Sequence, residues 1–124
     1  MIAAMREAVR QLGGLTIERA TFEDPVLSLG GTGWSLNCVS AWRLIDRSGT
    51  LVVGWSDSRA PSVVAQLVGQ RIVDLDRQGV LSEFDPALSL SGGDVLEVFA
   101  DHPVDPWVLR LPDMIFVGSP SEPA

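Results

Sequence analysis

The stretch that decides the fold is "WSLNCVSAWRLI", residues 34–45. Its even positions read Trp34, Leu36, Cys38, Ser40, Trp42 and Leu44; its odd positions read Ser35, Asn37, Val39, Ala41, Arg43 and Ile45. A period of two sends successive side chains to opposite faces, which is strand geometry and not helix geometry. The run is longer than the roughly 5–6 residues at which most strands stop, so it predicts a bent or bulged strand. The even face predicts a core containing Trp34 and Trp42 with Cys38 between them. A cysteine buried in apolar surroundings is inert, which argues against a nucleophilic pair of Cys38 with His102, the only histidine.

Working outward towards the C-terminus, "DRSGT" (46–50) turns the chain and "LVVGW" (51–55) returns as a partner strand. "SDSRAPSVVAQLVGQ" (56–70) predicts a short helix near 62–68. Pro61 suits its first position, Val63, Val64, Leu67 and Val68 share a face, and Gly69 ends it. "RIVDLDRQ" is a strand that turns at Gly79, "VLSEF" is another, and Pro86 predicts a break. In "ALSLSGGDVLEVFA" (87–100) the apolar faces match only with an odd loop, most simply Gly92 to Asp94, which sets Leu90 against Leu96 and Leu88 against Val98. The last hairpin is "WVLRL-PD-MIFVG" (107–118), with Leu109 facing Phe116 and Leu111 facing Met114.

On the other side, Ile2, Met5, Val9 and Leu12 predict one face of an N-terminal helix stopped by Gly13 and Gly14. "LTIERATF" (15–22) predicts one strand with Leu15, Ile17 and Arg19 on a side, followed after Pro25 by a strand "VLSL" and a loop "GGTG" (30–33). That loop lacks the Lys and Ser/Thr of a phosphate-binding loop, and no helix follows it. The expected fold class is α+β: mainly antiparallel β hairpins forming a curled sheet or barrel-like core, with an N-terminal helix and one short internal helix. Residues 1–118 are expected to form a single globular domain and 119–124 a disordered tail.

Composition excludes several classes. No apolar run approaches the roughly 20 residues of a membrane span, and Arg6, Glu7 and Arg10 interrupt any signal-peptide core. A single cysteine allows no internal disulfide, so a cytoplasmic location is expected. The net charge of −7 falls entirely in residues 70–124, which hold ten carboxylates against Arg71, Arg77 and Arg110. Such a balance repels nucleic acid and suits a basic protein partner. Catalytic and metal constellations are not recognised: neither "GWSLN" nor "GWSDS" is a nucleophile elbow. Asp74, Asp76, Asp101, His102 and Asp105 lack metal-ligand spacing, and "DLD" (74–76) also fits a solvated strand face. No cofactor is expected.

"LVGQRIVDLDRQG", "LSLSGGDVLEVFAD" and "DPWVLRLP" running to "FVGSP" resemble a family of small uncharacterised, mostly actinobacterial proteins. The resemblance covers roughly residues 64–118 and rests on Leu67, Gly69, Gly93, Leu96, Val98, Asp105 and Trp107. The family pattern ends in Glu-x-Trp, where this chain has Asp-Pro-Trp at 105–107. The likeness implies a fold and a bacterial origin, and small acidic bacterial domains of this kind are often encoded beside toxins as immunity proteins.

The expectation for function is therefore a non-enzymatic protein-binding domain, of immunity type, that masks a basic partner with an acidic face. Trp107 and Trp55 are the expected anchors, with Asp101, Asp105 and Asp113 around them. The alternative is a small-ligand-binding domain with a tryptophan-lined pocket. A homodimer through an exposed strand edge is compatible with either.

Overall fold

In the computed structural model, which describes residues 1–79, 82–101 and 105–118, the chain is α+β, with two antiparallel sheets and two helices among the described residues. Helix α1 (Ile2–Gln11) buries Ile2, Met5 and Val9 as the periodicity requires. Leu12, expected on the same face, is instead exposed. It caps the helix, and Gly13 and Gly14, at φ +72° and +94°, turn the chain away immediately after it.

"LTIERATF" is two strands rather than one: β1 (Leu15–Thr16) and β2 (Arg19–Glu23). The Ile17 N–H donates to the carbonyl of Gln70, just before the strand Arg71–Gly79, and the Glu18 N–H to the Gly30 carbonyl in the strand Val26–Gly31, both at 2.8 Å, so adjacent residues bond towards different sheets. The inward parity shifts there, from Leu15 and Ile17 to Ala20 and Phe22, which leaves Arg19 exposed. After a cis Asp24–Pro25 bond comes β3 (Val26–Gly31), which absorbs Gly30 and Gly31 from the expected loop. Only glycine fits at 31: a Cβ there would collide with the Thr16 carbonyl and with the Trp34 indole nitrogen. That nitrogen donates to the Thr16 carbonyl at 2.9 Å.

The alternating run is likewise two strands, β4 (Trp34–Cys38) and β5 (Trp42–Ile45), one in each sheet. Val39, Ser40 and Ala41 carry the chain across without breaking parity, so all six even positions remain buried. β6 (Leu51–Gly54) pairs with β5, and Asp46 closes the turn between them by accepting the N–H groups of Ser48 and Thr50. α2 (Ala60–Ala65) begins earlier than expected, with Pro61 in its first turn. Val64 and Leu67 are buried, but Val68 lies beyond the helix and is exposed.

β7 (Arg71–Gly79) and β8 (Ser82–Leu90) are long partners that reverse between Gly79 and Ser82. Gly79 is therefore within a strand and not the turn. Pro86 does not break β8: it sits where the β7–β8 ladder shifts register and just outside the β8–β9 ladder, which begins at Ala87, so its missing N–H costs little. The Gln78 amide bridges this point, donating to the Pro86 carbonyl at 3.0 Å and the Val98 carbonyl at 2.7 Å. β9 (Val95–Val98) pairs Leu88 with Leu96, not with Val98. The loop has the odd length that parity demands but is Ser91–Gly93, because Gly93 takes the left-handed position at φ +103° and the Leu90 N–H closes onto the Asp94 carbonyl. β10 (Trp107–Leu111) and β11 (Met114–Val117) pair Leu109 with Phe116 and Leu111 with Met114, as the sequence predicts.

The strand orders are β1-β7-β8-β9-β5-β6 and β11-β10-β4-β3-β2, so neither sheet closes into a barrel. Side chains from both sheets and both helices form one core. Within it Phe22 of one sheet meets Trp42 of the other edge-to-face, with ring centroids 5.1 Å apart. α1 is clasped to β7 by charge: Arg6 donates twice to Asp74, each bond 3.1 Å, and Arg10 reaches the same carboxylate at 3.4 Å. The expected tail, 119–124, lies outside the described residues.

Candidate functional site

The two crossings between the sheets lie against each other. The Phe99 N–H donates to the Ala41 carbonyl, the Asp101 carboxylate accepts the Ala41 N–H at 3.1 Å, and the Val39 N–H donates to the Pro106 carbonyl at 3.0 Å. The short 39–41 link is thus zipped to the connection that follows β9, which satisfies backbone groups that neither sheet can use. Trp55, directly after β6, stands over this seam, and its backbone N–H donates to the Trp42 carbonyl. It is 49% exposed, whereas Trp34, Trp42 and Trp107 are buried.

Two shallow depressions meet beneath Trp55 and share Ala41. One, of about 330 Å³, continues over Arg43, Leu51 and Phe99. The other, of about 210 Å³, is floored by Phe22, Pro25 and Val39 and has Asp101 at its rim. Arg43 is fixed from two sides: its guanidinium lies over the Phe99 ring at 5.3 Å and bonds Glu97 at 2.6 Å. Glu97 is only 5% exposed, so Arg43 supplies the counter-charge that permits its burial. The surface therefore combines a half-exposed indole, an exposed leucine, a guanidinium held flat on an aromatic ring, and a carboxylate.

Of the residues singled out from sequence, the fold brings Trp55 and Asp101 together. Asp105 is exposed at φ +41° beside Pro106, whose carbonyl meets Val39 in the wall of the same depression. Asp113 sits in the β10–β11 turn, at the opposite end of β10, and does not join them. Trp107 is a correction. At 0% exposure it belongs to the core, because it opens a strand whose odd positions all face inward. His102 lies outside the described residues. Cys38 is buried as the alternation predicts, and that burial pushes its thiol up to about 11.

The acidic half is partly neutralised by ion pairs. Asp74, Asp76 and Glu97, all in the acidic half, are ion-paired with Arg6, Arg10 and Arg43 from the neutral half. Arg6 above all lowers the Asp74 carboxyl to about 2. Among the described residues, no group of three or more His, Cys, Asp or Glu side chains could hold a metal ion, and no helix is long and apolar enough to cross a membrane. Nothing in the sequence alone marks Arg43, Phe99 and Leu51 as neighbours of Trp55. Arg43 and Glu97 both occupy outward parity positions, and only the β5–β9 register sets them opposite each other. Comparison with known family models, curated proteins and solved structures returned no match.

Proposed function

We propose that this chain is a non-enzymatic binding domain that engages a basic protein partner through the surface around Trp55. The observation that carries the reading is the exposure of that one indole over the seam between the sheets, while three other tryptophans are buried. Tryptophan and arginine dominate the energetics of protein interfaces, and Trp55 and Arg43 line one depression. Asp101 at the rim of the depression, and a net charge of −7, favour a basic surface opposite. Masking of a partner's basic site, as an immunity protein does, is the most concrete form of this function.

Titration calorimetry with the protein encoded by the adjacent gene tests it, using wild type and Trp55→Ala at low and high salt. The expected outcome is binding that weakens with salt and falls at least about tenfold in the variant. Equal affinity of the two proteins, or no association with a neighbour-encoded protein, counts against the proposal. A small-ligand reading draws support from the aromatic lining of the larger depression, whose volume of about 330 Å³ reaches the lower range of ligand sites. A saturable rise in melting temperature with a small molecule, lost in Trp55→Ala, would favour it instead.

A further inference from the structure

Strand β11 is an edge of the five-stranded sheet, and it is apolar where edges are usually guarded. Ile115 is 60% exposed, Met114 45% and Val117 37%. No charged residue occurs from Met114 to Gly118. The backbone phase of this edge is fixed by the Gly118 N–H, which donates to the Trp107 carbonyl at 2.8 Å. In an antiparallel ladder alternate residues turn their N–H and C=O groups to opposite sides. Met114, Phe116 and Gly118 therefore spend theirs on β10, while Ile115 and Val117 direct four donors and acceptors to the open edge.

We propose that two copies of the chain pair antiparallel along β11, with the two-fold axis at Phe116, joining their sheets into one of ten strands. In this register Ile115 lies opposite Val117 of the second copy, and Val117 opposite Ile115 of the second copy. All four open backbone groups of each edge are then satisfied by the other. Moving the axis to Ile115 would oppose Val117 to Asp113 in the turn and lose half of these bonds. The occupant is a second copy because the pattern is self-complementary. The acidic chain must also meet itself where it carries no charge, while a basic partner finds no carboxylate on this strand. One short edge falls well below the ~1,200 Å² of a stable complex, so association is weak and concentration-dependent.

Sedimentation velocity of the full chain tests the proposal, from about 10 µM to about 1 mM, the range in which a small interface dissociates. Wild type is expected to shift from monomer to dimer. Ile115→Lys is expected to stay monomeric with an unchanged melting temperature, since the side chain is exposed and its N–H is not used by β10. Val68→Lys, at a half-exposed residue outside the five-stranded sheet, is expected to dimerise normally. A wild type that is monomeric throughout, an Ile115→Lys protein that still dimerises, or loss of dimer in Val68→Lys overturns it. Register is read by air oxidation of cysteine variants: a mixture of Ile115→Cys and Val117→Cys chains cross-links faster than either alone. Faster cross-linking of Ile115→Cys chains with one another contradicts the Phe116 axis.

Discussion

Replacing Asp74 by Asn removes the negative end of the clasp that docks α1 on β7. The Arg6 hydrogen bonds dominate the lowering of the Asp74 carboxyl from 3.8 to about 2, with the Leu75 N–H and Arg10 adding to it. At ~1.4 kcal/mol per tenfold change in acidity this corresponds to roughly 2 kcal/mol before solvent is considered. Side-chain exposure of 33% for Asp74 and 36% for Arg6 allows water and salt to screen the pair, which reduces the expected cost to about 1 kcal/mol. The folded-state value lies below the unfolded one. The stabilisation is therefore fully present above about pH 4 and is lost as the pH falls towards 2. Urea unfolding of wild type and Asp74→Asn, at steps from pH 7 down to the lowest pH at which wild type folds, measures the difference directly. The gap is expected to be constant from pH 7 to about pH 5, to close below pH 4, and to narrow with added salt. A gap that persists undiminished near pH 2.5, or widens as the pH falls, refutes the charge clasp.

Three further outcomes follow from the packing. The Cys38 thiol, raised to about 11 by burial, is expected to resist a thiol reagent in the native protein and react fully in denaturant; rapid native labelling contradicts its position. Gly31→Ala is expected to cost more than about 2 kcal/mol in chemical denaturation, since the new methyl meets the Thr16 carbonyl and the Trp34 indole, and a neutral result would show that the contact can relax. Arg43→Met leaves Glu97 buried without its partner and is expected to destabilise by about 3 kcal/mol, more than Arg43→Met combined with Glu97→Gln; a double variant worse than the single one argues against the pair.

Period two was the legible part of this sequence. It carried the even face from Trp34 to Leu44 into the core, the odd loop parity before β9, and the whole register of the last hairpin. What it could not carry was sheet membership. A strand that leaves one sheet for the other keeps its alternation when the link preserves parity, so 34–45 read as one element. Where the link shifts parity, at Ile17–Glu18, the sequence misplaces Arg19. Pro86 read as a break because its tolerance depends on a ladder irregularity that only the neighbours create. The same limit governs the site. Trp55 was visible as an aromatic at a strand end, and Asp101 as an acid in a connection. Their meeting, the Arg43–Glu97 pair and the burial of Trp107 all depend on which strands are neighbours. The acidic half looked like a face because the arginines that neutralise part of it lie 54 to 68 residues away in the chain.

In the proposed function, partners bind over Trp55. Because Trp34, Trp42 and Trp107 are buried, collisional quenching of tryptophan fluorescence by acrylamide reports chiefly on Trp55 in the native protein. Its measurement in the free protein and in the complex with the neighbour-encoded protein is the most direct test. The free protein is expected to show a quenchable fraction that is absent in Trp55→Phe and suppressed when the partner binds. A complex in which Trp55 remains as quenchable as in the free chain would contradict it.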